Sequence, residues 1–321
     1  MAFGLACVRS RTGKGAAALV IDERVILLEP LGETRSVLEL LDAWDTVLPG
    51  LETIAASPAS WEQAQPLASV DLAAPYLPRQ IFCTGANYKK HVVGLIMGDP
   101  SMRTPADEAL SDDERRARAE AMMDDRAMNA LPYCFIKLPS CVVGPGDPVV
   151  LPRNVVKPDW ELELGVVIGR RCRHVTPEQA MDHVAGYVVV NDVTAREHIF
   201  RRDNSAIGAD WLSGKCFPTF LPFGPMIVPR RFVADPYDLT IRLSVNGKVY
   251  QDESTRDMMI GVERQVAYLS DRVELTPGDV ICTGSPYGNG SAFGVFLKPG
   301  DLMEGEITGL GRQRNPCVAE P

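Results

Sequence analysis

From about residue 80 onward the chain is cut by glycine, proline and asparagine into short apolar runs, and this punctuation limits the folds open to it. "RQIFCTG", "SCVVGPGDPVVLP", "ELELGVVIG", "GYVVVNDV", "PMIVP", "LTIRLSVNGKVYQ", "DVICTG" and "GDLMEGEITGLG" follow one another. Each is too short for a packed helix, and most are rich in β-branched residues, so they read as strands. Asn246-Gly247, between "IRLSV" and "KVYQ", is the strongest two-residue hairpin signal in the sequence. Helices are fewer. Ser111 and Glu114 form a capping box that opens "SDDERRARAEAMMDDRAMNAL", and Thr176, Pro177 and Gln179 open "TPEQAMDHVAGY". This pattern predicts an α+β, β-dominated domain in preference to a doubly wound sheet.

A chain of 321 residues has room for one large domain or a small one followed by a larger one. The first seventy-five residues, with "GAAALVI", "RVILLEP" and the Pro/Ala-rich stretch "ASPASWEQAQPLASVDLAAPYLP", read as a small N-terminal domain. Residues 76–321 read as the catalytic part, with an insertion over about 92–132. A net charge of −9 and a pI near 5.1 argue against nucleic acid as a partner. No stretch approaches the ~20 apolar residues that cross a bilayer, so no membrane partner is expected, and the cytoplasm is the expected location. The eight cysteines form no C-x-x-C pair and read as small buried hydrophobes in a reducing compartment.

One strand is interrupted in an informative way. In "PDWELELGVVIG", Glu161 and Glu163 are two apart and share a face, with Leu162 and Leu164 on the other. The run "AGYVVVNDVTARE" also turns from apolar to acidic, at Asp192. A lone E-x-E is usually a solvated strand face. Three carboxylates at adjacent strand ends, without Cys or His at ligand spacing, describe instead an all-oxygen site for Mg²⁺ or Mn²⁺ and not for Zn²⁺.

"IFCTGANYKKH", "PDWELELGVVIG", "AGYVVVNDVTARE", "WLSGKCFPTFLPFGP", "VNGKVYQDESTRDMMIGV" and "LTPGDVICTGSPYGNG … FLKPGDLMEGEITGLG" occur in this order. Together they resemble the fumarylacetoacetate hydrolase family over roughly residues 80–314. The resemblance implies a catalytic domain of rolled, mixed β-sheets, usually a homodimer, that binds Mg²⁺ or Mn²⁺ and acts on small 2-oxo acids or β-diketones. It also implies a residue set. Glu161, Glu163 and Asp192 match the metal carboxylates, and Lys215 matches the lysine that holds the substrate carboxylate or an enolate. Asn87, Tyr88, Thr219, Thr283 and Ser285 fall in the substrate-binding segments. His91 matches the histidine that, with a glutamate three residues on, activates water in the family's hydrolases.

Four positions depart from that pattern. Gly94 stands where the glutamate partner of His91 is expected. Pro218 replaces an aspartate after the lysine, Ile199 replaces a glutamine, and "GSPYGNG" replaces the usual G-T-P-x-G-V-G loop. The metal set is complete while the water-activating pair is not. The expected activity is metal-dependent C–C hydrolysis of an acylpyruvate or fumarylacetoacetate-like β-diketone acid, as in aromatic-compound catabolism. A 2-oxo acid decarboxylase or hydratase/isomerase on the same metal is the alternative, and a silent binding protein a third reading. Asp99, Asp107 or Glu108 of the insertion are candidates to replace the missing carboxylate.

Overall fold

A computed structural model of the protein describes residues 1–10, 15–98, 104, 107, 109–201, 203, 206 and 208–321. Among these the strands form two main sheets. The larger has 11 strands, and its central path runs Gly4–Arg9, Met226–Pro229, Val184–Asn191, Leu162–Ile168, Val280–Cys282, Ile81–Gly85, Tyr133–Lys137. Most neighbours are antiparallel, but Val280–Cys282 runs parallel to Ile81–Gly85, so the sheet is mixed. The second sheet has five strands and contains the expected hairpin. Val245 pairs with Lys248 across Asn246 (φ 52°) and Gly247 (φ 79°), the left-handed pair that a type I′ turn requires.

All seven residues of Leu162–Ile168 are buried, which explains the nearly continuous apolar run. The period of two then divides the strand. Leu162, Leu164, Val166 and Ile168 pack with Ile241, Leu243, Val245, Met303 and Ile307 of the smaller sheet. Val167 faces the opposite way, into a core with Leu40, Leu41, Trp44, Val188 and Val190. Burying each such aliphatic side chain contributes roughly 1.5–3 kcal/mol, so the strand is held between two cores. Glu163 shares the face of Val167, and its position at the strand end lets a carboxylate stand where an aliphatic residue would otherwise be.

The first seventy-five residues, expected as a separate small domain, continue both the sheet and a core. Leu5 pairs with Ile227, and Leu40, Leu41, Trp44 and Leu51 pack beside Val188 and Ile227. Neither sheet nor core breaks near residue 75. Helices are more plentiful than the short β signals led one to expect, with helix and strand each about 32%. Both capping boxes form, at Ser111 and Thr176. In the insertion, Asp112–Asn129 buries only Ala119 and Met123, against Val92 and Val93 of the Lys89–Gly98 helix, as its nearly all-round charge predicts.

Candidate active site

Strand register builds the acidic cluster. Leu162 lies opposite Asn191, the Glu161 amide donates to Asn191 Oδ1 (2.9 Å), and the Asp192 amide donates to the Glu161 carbonyl (2.8 Å). Two strand ends are thereby fixed side by side. One carboxylate oxygen from each of Glu161, Glu163 and Asp192 lies within 4.8 Å of the others, and all three residues are buried.

Three cations surround the cluster. Lys215 ends the short Trp211–Lys215 helix, which Asp210 caps by accepting from the Ser213 amide; its Nζ donates to Glu161 Oε2 (3.0 Å) and Asp192 Oδ2 (2.5 Å). Lys137, fully buried at the end of the Tyr133–Lys137 strand, pairs with Asp192 Oδ1 (2.7 Å) and donates to the Val193 carbonyl (3.0 Å). Arg196 pairs through Nη2 with Glu161 Oε1 (2.6 Å) and donates through Nε to Asp159 Oδ2 (2.8 Å).

The sequence reading missed Lys137, Arg196 and Asp159. A signal for Lys137 existed, since strand alternation in "CFIKLP" puts it on the same face as Phe135, which is buried.

The charges are unevenly shared. Burial alone would raise the Glu161 pKa, but Arg196 and Lys215 overrule it and hold the group down at about 2. Glu163 is pushed well up, first by burial and then by Asp192 and its other acidic neighbours. Its one hydrogen bond comes from the Gly284 amide (2.8 Å), and no cation pairs with it among the described residues. A buried, all-oxygen donor set with one carboxylate left uncompensated fits a hard divalent cation, whose charge would relieve that repulsion.

The other expected residues divide into two groups. His91, in the first turn of Lys89–Gly98, is buried within electrostatic reach of Glu161, Arg196 and Lys215, and burial lowers its pKa to about 4, so it is neutral. Tyr88 is fully buried near Thr283 and Glu163. The rest make hydrogen bonds within the chain. Asn87 donates to the Ile260 and Thr283 carbonyls and accepts from the Ile260 amide. The Thr283 hydroxyl donates to the Leu164 carbonyl (2.9 Å), and Ser285 accepts from Gln251 and Asn289. Thr219, at φ 70°, accepts from the Val150 amide (2.8 Å), and its hydrogen bonds do not reach the acidic cluster.

Gly94 lies one helical turn beyond His91, and a Cβ there would meet the Tyr287 ring at 3.1 and 3.2 Å. Of the acids proposed to replace a carboxylate at 94, Asp99 and Glu108 lie outside the described residues. Asp107 is engaged locally, accepting from Thr104 and pairing with Arg118 (3.0 Å).

The family model for the fumarylacetoacetate (FAA) hydrolase C-terminal domain matches residues 80–318. The chain belongs to the fumarylacetoacetate hydrolase family. Within it, the chain is 36% identical to the mitochondrial oxaloacetate tautomerase fahd2 of Xenopus laevis over 253 residues, 78% of this chain and 69% of that protein. It is 46% identical to a putative hydrolase of Burkholderia cenocepacia over 185 residues, 57% of this chain and 64% of that protein, and so spans just under two thirds of the latter. Among solved structures, a putative HpcE protein of Mycobacterium smegmatis superposes with a TM-score of 0.75 at 31% identity, covering 98% of this chain and 99% of that one. The family therefore includes relatives named for different reactions.

Proposed function

We propose that the protein is a divalent-metal-dependent enzyme of small 2-oxo acids, with Glu161, Glu163 and Asp192 holding Mg²⁺ or Mn²⁺. The observation that carries this reading is the buried set of three carboxylate oxygens within 4.8 Å, in which Glu163 forms no ion pair among the described residues. When bound, such an ion supplies Lewis acidity, polarising a 2-oxo acid's carbonyl and making its C3 proton more acidic.

The chain's own groups supply the remainder. Lys137 and Arg196 fix the orientations of Asp192 and Glu161. Lys215, kept cationic by its two carboxylate neighbours, meets negative charge as it develops on the substrate oxygen. Tyr88 offers a buried hydroxyl to a substrate oxygen. His91, neutral and without an acidic partner on the next turn, takes the C3 proton and returns it.

This arrangement supports keto–enol interconversion of a 2-oxo acid best, the type of reaction for which the Xenopus relative is named. C–C hydrolysis of an acylpyruvate is the second reading, favoured by His91 standing buried beside the cluster. It needs, in addition, a water oriented by a group that Gly94 does not provide. Incubation with oxaloacetate and with acetylpyruvate, with and without Mn²⁺, separates the two. Metal-dependent interconversion above the enzyme-free rate, without release of pyruvate and acetate, supports the first reading, and stoichiometric cleavage supports the second. Turnover unaffected by chelation or by Asp192→Asn would overturn both.

The working form is proposed to be a homodimer in the cytoplasm. Tyr133 and Ile136 lie exposed on the edge strand of the large sheet and Leu138 just beyond its end, with Phe200 and Leu212 also exposed, an apolar set that a second copy can cover. No helix among the described residues is long and apolar enough to cross a membrane.

A further inference from the structure

Position 94, where glycine stands in place of the expected glutamate, faces Tyr287 of the 283–290 loop. The loop Thr283–Gly290 is tied at several points to the segment carrying the metal glutamates. The Gly284 amide donates to Glu163, Trp160 Nε1 donates to the Gly288 carbonyl (2.9 Å), and Asn289 Nδ2 donates to the Trp160 carbonyl (3.0 Å). The Gly290 amide adds a bond to Asp159 (2.6 Å). At Gly288, φ is 117° and a Cβ would lie 2.3 Å from the Tyr250 carbonyl, so the tight turn after Tyr287 needs glycine.

These ties leave Tyr287 little freedom. Its ring lies against Gly94, has Lys90 Nζ 5.3 Å from its centroid, and meets Phe293 edge-on at 6.0 Å. His91 and Gly94 are three residues apart on one helix and so occupy neighbouring positions on the same face. The ring therefore fills the space one turn beyond His91. A Cβ at 94 would already press on the ring edge, so a side chain there needs the ring to shift.

The geometry points to Tyr287 as the specificity-determining residue of the site: its ring takes the volume in which hydrolysis would need a carboxylate and the water it orients, and so keeps His91 to proton exchange. The inference rests on the reading of the site as a metal-dependent 2-oxo acid centre. Enolisation moves one proton from C3 to His91 and on to the carbonyl oxygen, with no net gain or loss of atoms. Hydrolysis adds one water across the C–C bond and releases two carboxylic acids. The ring admits the first and obstructs the second.

The test uses acetylpyruvate with the Mn²⁺-loaded wild-type protein, Tyr287→Ala, Gly94→Glu and the Gly94→Glu/Tyr287→Ala double variant. Two rates are followed for each: keto–enol interconversion and release of pyruvate plus acetate. Mn²⁺ binding, by water-proton relaxation, shows which variants keep the site. The cleavage-to-interconversion ratio is expected to rise a few-fold in Tyr287→Ala and at least tenfold in the double variant, while Gly94→Glu alone gains nothing because the ring remains. A double variant that binds Mn²⁺ with a ratio within twofold of wild type overturns the inference, as does Gly94→Glu alone matching the double variant. If the double variant fails to bind Mn²⁺, the Tyr287→Ala ratio decides, an unchanged value counting against the ring. Absence of Mn²⁺-dependent interconversion in the wild type removes the underlying reading, and the inference with it.

Discussion

Glu163 and Asp192 are both buried carboxylates of the same cluster, yet neutralising them should change the metal-free protein's stability in opposite directions. Two carboxylates with oxygens within 4.8 Å of each other repel by at least about 3.5 kcal/mol at an effective dielectric constant of ~20. Glu163 forms no ion pair among the described residues, while the nearby Lys215 offsets part of the repulsion. Protonation caps its cost at about 3 kcal/mol at pH 7, because the group's ordinary pKa is near 4.5 and escaping the repulsion means carrying a proton up to neutrality.

Glu163→Gln removes that burden and can still accept from the Gly284 amide, so it should stabilise the metal-free protein by about 1–3 kcal/mol. Asp192→Asn does the reverse. It strips the carboxylate from two fully buried lysines, Lys137 at 2.7 Å and Lys215 at 2.5 Å, and should cost about 3–5 kcal/mol. Urea unfolding of chelator-stripped protein at pH 7, followed by circular dichroism, measures both. With Mn²⁺ at a hundred times its dissociation constant the wild type should gain about 2.7 kcal/mol, and neither variant should gain appreciably. Glu163→Gln destabilising the metal-free protein as much as Asp192→Asn would refute the charge distribution argued here.

Three further outcomes are expected. Lys137→Met, which frees Asp192 Oδ1 from its ion pair, should weaken Mn²⁺ binding by roughly 10–100-fold in a titration while Lys215 remains in place; unchanged affinity would show that Lys137 does not orient the ligand. His91, with its pKa lowered from 6.5 to about 4, should make stability depend on pH in that window. The unfolded chain binds a proton there and the folded one does not, so stability is full above pH 6.5 and falls by about 3 kcal/mol as pH drops to 4; in His91→Asn the slope should flatten, and an unaltered slope would count against a buried neutral histidine. Ile136→Asp places a charge on the exposed apolar edge and should convert a dimer to monomer in sedimentation velocity, whereas a monomeric wild type would remove that assignment.

Much of the site was legible because strand periodicity is a strong signal. "PDWELELGVVIG" alternates cleanly, and "GYVVVND" ends at its acid, so the carboxylates could be paired before their register was known. The partners were harder to see, for physical reasons. Lys137 and Arg196 act through contacts 55 and 35 residues away in sequence, and a single Lys or Arg is usually solvated, so apart from the strand alternation at Lys137 nothing local marks them as buried. Asn87, Thr219 and Ser285 were expected to contact substrate, and in the structure their polar groups also hydrogen-bond within the chain, which the sequence could not show. Composition shifts near residue 75, while Leu5 pairs with Ile227, 222 residues further along, a link that nothing local in the sequence announces. The absence of a carboxylate at Gly94 was plain in the sequence, but the ring that fills its place was visible only once the 283–290 loop was seen against the helix.

The central claim is that Glu161, Glu163 and Asp192 form a divalent-metal site that acidifies a 2-oxo acid. Proton NMR in D₂O tests it most directly, by following loss of the C3 signal of pyruvate, which exchanges slowly without a catalyst, with chelator-stripped protein before and after Mg²⁺ addition. The account predicts exchange that appears with Mg²⁺ in the wild type and disappears in Asp192→Asn and Glu163→Gln. Exchange that proceeds equally without metal, or survives both substitutions, would contradict it.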